Sequence, residues 1–151
     1  LQRAEKRRPD TEATVNGGPF RPGKREDYIH LVEERYFANV DRKNLEAVLD
    51  CFTEDATFTI QSAFSTHRGR DTGIRRMFER LFERYSKTVH RGFRHVVDIE
   101  GECCASQFEV ENVSARDGTE TRLSNCNFFY LEGGRFKRVY VYMSGGMNTL
   151  G

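Results

Sequence analysis

At 151 residues the chain has the length of one domain, with room for a sizeable core. A net charge of +1 gives no global case for a nucleic-acid or membrane partner, and no apolar run approaches the roughly 20 residues of a membrane span. The 12 Phe and 6 Tyr, without a Trp, suit an aromatic-walled interior.

The charge is unevenly placed. Residues 1–25 hold seven Lys/Arg against three Asp/Glu, a balance of +4, and the remainder stands at −3. All three prolines (Pro9, Pro19 and Pro22) fall in this opening stretch, so residues 1–25 read as a flexible basic tail and residues 26–151 as the folded domain. The tail is polar, without the apolar stretch of a secretory signal. Cys51, Cys103, Cys104 and Cys126 form no CxxC and no Cys/His spacing of a zinc site. Reduced thiols used as small hydrophobes, in a cytoplasmic protein with no bound metal, are the expectation.

From Glu26 the pattern turns helical: Ile29, Val32, Tyr36 and Val40 recur along one face, widened by Leu31 and Phe37. Asp41-Arg42-Lys43-Asn44 interrupts it, and Leu45, Val48, Leu49 and Phe52 begin a second, shorter helix that either Asp41 or Asn44 can cap. Phe52 to Ala56 reads as a tight connection into a strand, Thr57–Gln61, and Ser62 to Gly69 as a loop. The third helix carries Ile74, Met77, Phe78, Leu81, Phe82 and Tyr85, with Arg75, Arg76, Arg80 and Arg84 off that stripe as a solvated face. At Thr88-Val89-His90-Arg91-Gly92 it hands over to strands: Phe93–Glu100, Cys104–Ser114, Glu120–Leu131 and Arg135–Met143. Asp117-Gly118 and Gly133-Gly134 mark hairpins, the latter too far from any helix to be a phosphate loop. The order predicts an α+β domain whose curved antiparallel sheet wraps a long helix and encloses a cavity at its open end.

Several side chains suit either chemistry or structure. His90 can be a base, or a polar residue at a helix C-terminus. Asp41 can orient it or cap a helix; Tyr36 sits on an apolar stripe. His95 is the second candidate base, alternating with Phe93 and Val97; His67 can reach a pocket mouth, and His30 is expected exposed. Candidate pocket walls are Phe58, Ile60, Met77, Leu81, Tyr85, His95, Phe128, Tyr140 and Tyr142, whose abundance suits a hydrophobic polycyclic or aromatic small molecule. Asn112 follows the row Cys104, Ser106, Phe108, Val110 and offers a polar contact. Alternation alone does not say which row is concave.

Phe52-Thr53-Glu54-Asp55-Ala56-Thr57 and His67-Arg68-Gly69-Arg70 resemble strings of the nuclear transport factor 2-like superfamily, especially its SnoaL-like members. The resemblance implies a cystatin-like, cone-shaped roll of three N-terminal helices on a strongly curved antiparallel sheet, and a homodimer paired through the outer sheet face. Arg35-Tyr36-Phe37 with Asp41-Arg42-Lys43, taken with Thr88 to Gly92, resembles the branch holding scytalone dehydratase, bile acid 7α-dehydratase and hexachlorocyclohexane dehydrochlorinase. It implies a dyad of His90 and Asp41 assisted by Tyr36, working without a cofactor as a lyase. Ketosteroid isomerases of this fold carry their base carboxylate where this chain has Ile60, and their second acid near Cys126. SnoaL-type cyclases carry an Asp where Ser144 stands. These departures leave isomerase or cyclase chemistry by the same His, or ligand binding without catalysis, as the alternatives to elimination.

The chemistry explains such a trio. Elimination removes a carbon-bound proton while a leaving group departs. Neutral imidazole accepts that proton near physiological pH, a carboxylate on its other nitrogen fixes the tautomer, and a phenol donates to an oxygen gaining charge.

Overall fold

A computed structural model describes residues 22–145; most of the expected tail, residues 1–21, lies outside the described residues. Helix α1 consists of three consecutive segments, Arg25–Ile29, His30–Phe37 and Ala38–Asp41, the middle one wound as a π-helix. Its buried Tyr28, Val32, Tyr36 and Val40 recur at i, i+4 steps, flanked by Leu31 and Phe37. Such a repeat drifts round an α-helix of 3.6 residues per turn, and the wider π winding reduces the drift. Helix α2 is Leu45–Leu49, and Asn44 caps it, accepting from the Ala47 N–H at 3.4 Å. The Asp41 carboxylate is therefore left for another partner.

Strand β1 is Phe52–Ile60. It starts earlier than its alternation suggests because Phe52 already pairs with Phe136, so the expected tight connection is extended chain. A short turn, Gln61–Ala63, leads into β2, Ser65–Arg68, antiparallel to β1 at the sheet edge. This strand replaces part of the expected loop; its side chains are exposed or half-buried, so no apolar alternation announces it. Helix α3 runs through Gly69–Ile74 and Arg75–Arg84. Gly73 permits its close start against β2, since a Cβ there would stand 2.5 Å from the Arg68 carbonyl oxygen.

Four long strands complete the sheet: β3 (Tyr85–Asp98), β4 (Cys103–Ser114), β5 (Glu120–Glu132) and β6 (Arg135–Met143). The order is β2-β1-β6-β5-β4-β3, antiparallel throughout except for the parallel β1/β6 pair. The result is the expected α+β cone, an open curved sheet with the helices in its concave side. No helix among the described residues is long and apolar enough to cross a membrane.

Strand β3 begins at Tyr85 rather than Phe93, which puts His90 inside a strand and not at a helix terminus. Arg91 pairs with Glu109 but Arg94 with Gln107, so β3 holds one residue more than its partner across that span. Gly92 lies within this bulge at φ 68°. Strict alternation would set His90 and Phe93 on opposite faces. With the bulge both rings pack on Phe37, at 4.5 and 5.2 Å between centroids.

Candidate active site

The inner sheet face and α1 and α3 enclose a cavity of about 490 Å³. Its wall includes Tyr36, Phe37 and Val40 from α1, Phe58 and Ile60 from β1, and Met77, Phe78 and Leu81 from α3. Tyr85, Thr88 and His90 come from β3, Phe108, Val110 and Asn112 from β4, and Asn125 and Asn127 from β5. Carbon dominates the wall; the neutral polar groups lie on neighbouring strands.

His90 lines this wall, and Asp41, which does not itself line the cavity, meets it there. The imidazole Nδ1 lies 2.6 Å from Asp41 Oδ1, and the His90 backbone N–H donates to Asp41 Oδ2 at 3.0 Å. Both carboxylate oxygens are thus committed to one residue, which holds the ring in direction as well as distance. Asp41 comes from the last residue of α1, freed by Asn44, and the two side chains are 10% (His90) and 24% (Asp41) exposed. With Asp41 ionised, the neutral ring carries its proton on Nδ1 and keeps a lone pair on Nε2, the arrangement a base requires. Phe37 and Phe108 flank the ring at 4.5 and 5.4 Å, limiting its rotation.

Tyr36 lines the same cavity but is also core. Its ring makes edge contacts with Phe37, Phe52, Phe78, Phe129 and Phe136. Burial, then the nearby Cys51 and Asp41, push its phenol far above the ordinary range, so it stays a hydrogen-bond donor and never a phenolate. Cys51, wholly buried, is pushed up to about 12, chiefly by burial, and is inert.

Of the candidate pocket residues, Phe58, Ile60, Met77, Leu81, Tyr85 and Asn112 line the cavity, and so does His67. His95, Phe128, Tyr140 and Tyr142 do not. Phe128 and Tyr142 form one aromatic pair, and Tyr140 pairs with Tyr130, on the outer face of the sheet. Aromatic size alone does not fix the face a strand residue takes: parity gives Asn125, Asn127 and Val141 the inner positions. The asparagines were readable once the β4–β5 register set Asn125 opposite Phe108 and Asn127 opposite Ser106.

His95 faces inward but belongs to a different cluster. Its Nε2 lies 2.6 Å from Glu33 Oε1 and its Nδ1 2.7 Å from the Oγ of fully buried Ser106, while Phe93 stacks on the ring. Both nitrogens are occupied, which removes His95 as a second base. Among the described residues no group of three or more His, Cys, Asp or Glu is placed to hold a metal ion.

The family model of the SnoaL-like domain matches residues 34–139, from the middle of α1 into β6. The chain belongs to the SnoaL-like domain family. Solved structures share the fold at low identity. An LEH-like epoxide hydrolase from M. tuberculosis is 15% identical with a TM-score of 0.67, over 79% of this chain and 84% of that one. AusH from Aspergillus nidulans is 12% identical at TM-score 0.70, over 83% and 89%. SalBIII, an epoxide hydrolase/cyclase-like enzyme in pyran ring formation in polyether salinomycin, is 20% identical at TM-score 0.70, over 79% and 92%. No curated protein matches the sequence. In this SnoaL-like domain the dyad joins the end of the first helix to the strand that follows the third.

Proposed function

We propose that this SnoaL-like protein is a cofactor-independent lyase that eliminates water from a hydrophobic, hydroxylated polycyclic or aromatic molecule. The observation that carries the reading is the His90–Asp41 pair at 2.6 Å, with His90 in the wall of a largely apolar cavity of about 490 Å³. His90 Nε2 takes the carbon-bound proton; the electron pair of that C–H bond forms the new C=C bond or passes through an enolate. The bond from carbon to the departing oxygen breaks, and the proton on Nε2 accompanies that oxygen as water, returning the ring to neutral. Asp41 holds the tautomer and stabilises the transient imidazolium. Tyr36 donates to a substrate oxygen as negative charge grows there.

Ring formation by the same base is the second reading, favoured by the likeness to SalBIII. There His90 Nε2 takes the proton of a substrate hydroxyl, whose oxygen attacks an epoxide carbon of the same molecule; the epoxide C–O bond at that carbon breaks, and the freed oxygen takes the proton back from Nε2. A panel of hydroxylated aromatic and polycyclic ketones and epoxy alcohols, with products identified by mass spectrometry, separates the two: loss of 18 mass units is elimination, an isomeric product is cyclisation. Turnover within a few-fold of wild type in His90→Asn would sink both, and no turnover of any panel member by the wild type would leave a binding domain. We also propose a homodimer paired on the outer sheet face, where the Phe128–Tyr142 and Tyr130–Tyr140 pairs lie. The four free thiols fit the reducing cytoplasm.

A further inference from the structure

The mouth of the cavity is defined by those wall residues that are exposed: Ala63, Arg80, Arg84 and Met143. Two of them are arginines one turn apart on α3, on the row beside Met77 and Leu81, whose side chains reach the interior. No Asp or Glu takes part in the wall.

Arg35, Arg70, Arg75, Arg91, Arg122 and Arg135 each pair with a carboxylate. Among the described residues Arg80 and Arg84 do not, nor do Arg25, Arg42, Arg68, Arg76, Arg94, Arg116 and Arg138; what sets Arg80 and Arg84 apart is that they alone of these line the cavity. Arg80 donates its Nε to the Arg76 carbonyl at 3.3 Å, and the Arg84 guanidinium lies 5.6 Å from the Tyr85 ring centroid. Like charges at this helical spacing repel, and the lip supplies no counterion from Glu79 or Glu83 on the same helix. His67, beside Phe58 on the edge strand, completes the rim; burial and Arg80 hold its pKa below the ordinary imidazole range, so it is a neutral hydrogen-bonding group near pH 7.

The interior has the opposite character. Besides His90 and the Tyr36 phenol, its polar groups, Thr88, Asn112, Asn125 and Asn127, are neutral and buried, and Thr88 already donates to Asn112 Oδ1 at 2.9 Å. A carboxylate pushed to that depth would lose hydration without meeting a cation, a cost of several kcal/mol. The guanidinium groups that line the cavity, Arg80 and Arg84, stand at the lip.

We infer that the ligand of this cavity is an amphipathic acid whose apolar body fills the interior and whose carboxylate stays at the mouth between Arg80 and Arg84. Neutral oxygens on the body then face the asparagine floor. This rests on reading the cavity as the substrate site, and not on His90 being a base. The arginines act as specificity determinants: they select the charged end and fix which way round the molecule enters.

The test uses a matched pair of probes, 2-naphthylacetate and 2-naphthylacetamide, titrated calorimetrically into the full chain at low ionic strength. The acid is expected to bind about tenfold more tightly than the amide, as a charge-assisted hydrogen bond at a partly exposed site allows. The preference should shrink with salt and vanish in the Arg80→Gln/Arg84→Gln double variant, with amide affinity unchanged. Both positions are exposed and Gln is a good helix former, so the fold is retained, which a thermal melt checks. Equal affinities in the wild type, a preference that survives the double variant, or binding of neither probe would overturn the inference. Failure of the base assignment looks different: turnover unchanged in His90→Asn, with the acid preference intact.

Discussion

Two histidines on one strand each meet a carboxylate from one helix, at the same distance. His90 holds Asp41 and His95 holds Glu33, both at 2.6 Å, with Glu33 about two turns before Asp41 on α1. The difference lies in the other nitrogen. On His95 it is taken by Ser106 Oγ at 2.7 Å, in a cluster outside the cavity; on His90 no protein partner takes Nε2 among the described residues, and the ring forms part of the cavity wall. A carboxylate partner therefore does not make a histidine a base. A base also requires a second nitrogen open to a substrate, and the same pairing without that access is a clasp between helix and strand.

This contrast can be broken most directly at His90. Replacing it with Asn should lower turnover by about 10²–10⁴-fold while leaving the melting temperature nearly unchanged, because a positioned base contributes on that scale. Asp41→Asn should come next, with a loss of roughly 10²-fold or more from the wrong tautomer. The nitrogen resonances of His90 should shift in that variant and those of His95 should not; movement of both would show the two pairs to be coupled. At the other pair the signs reverse. Glu33→Gln is expected to cost about 1–3 kcal/mol in a denaturant melt, since it weakens a hydrogen bond to a buried ring, with turnover held within about twofold. A large loss of turnover without a stability change would refute the clasp.

Smaller effects sharpen the picture. Tyr36→Phe should slow turnover by about tenfold and leave stability close to wild type, because the aromatic contacts survive and only the donor is lost. Asn44→Ala should cost about 1 kcal/mol of stability with a full rate; a substantial loss of rate would mean that the cap also positions Asp41. On the pH axis, Cys51 and Tyr36 are both pushed up on folding. The folded state holds those protons where the unfolded chain releases them, so their contribution is whole below about pH 8.5 and is lost as pH rises through the thiol and phenol ranges. Alkaline melts of Cys51→Ala should show a shallower decline between pH 9 and 10.

Much of this molecule was legible from its residues. The stripes of α1 and α3, the four long strands and the α+β order follow from periodicity, since burial on one face writes itself into the chain at fixed spacing. His90, Asp41 and Tyr36 stood out by residue type, spacing and family resemblance. What local pattern does not carry is parity across an irregularity: the Gly92 bulge brings His90 and Phe93 to one face, and no alternation rule contains it. Edge strand β2 escaped because an edge needs no apolar row. Phe128, Tyr140 and Tyr142 have the size of wall residues, but parity gives the wall to Asn125, Asn127 and Val141.

The sequence by itself determined the elements, their order and the chemical groups on offer. Only the tertiary structure decided that Asn44 caps α2 and so frees Asp41, that His90 lies in the cavity wall while His95 is enclosed, and that Arg80 and Arg84 stand at a mouth. The reason is physical: periodicity reports which face of an element is buried, whereas the role of a titratable group depends on which distant atoms occupy its remaining bonding positions.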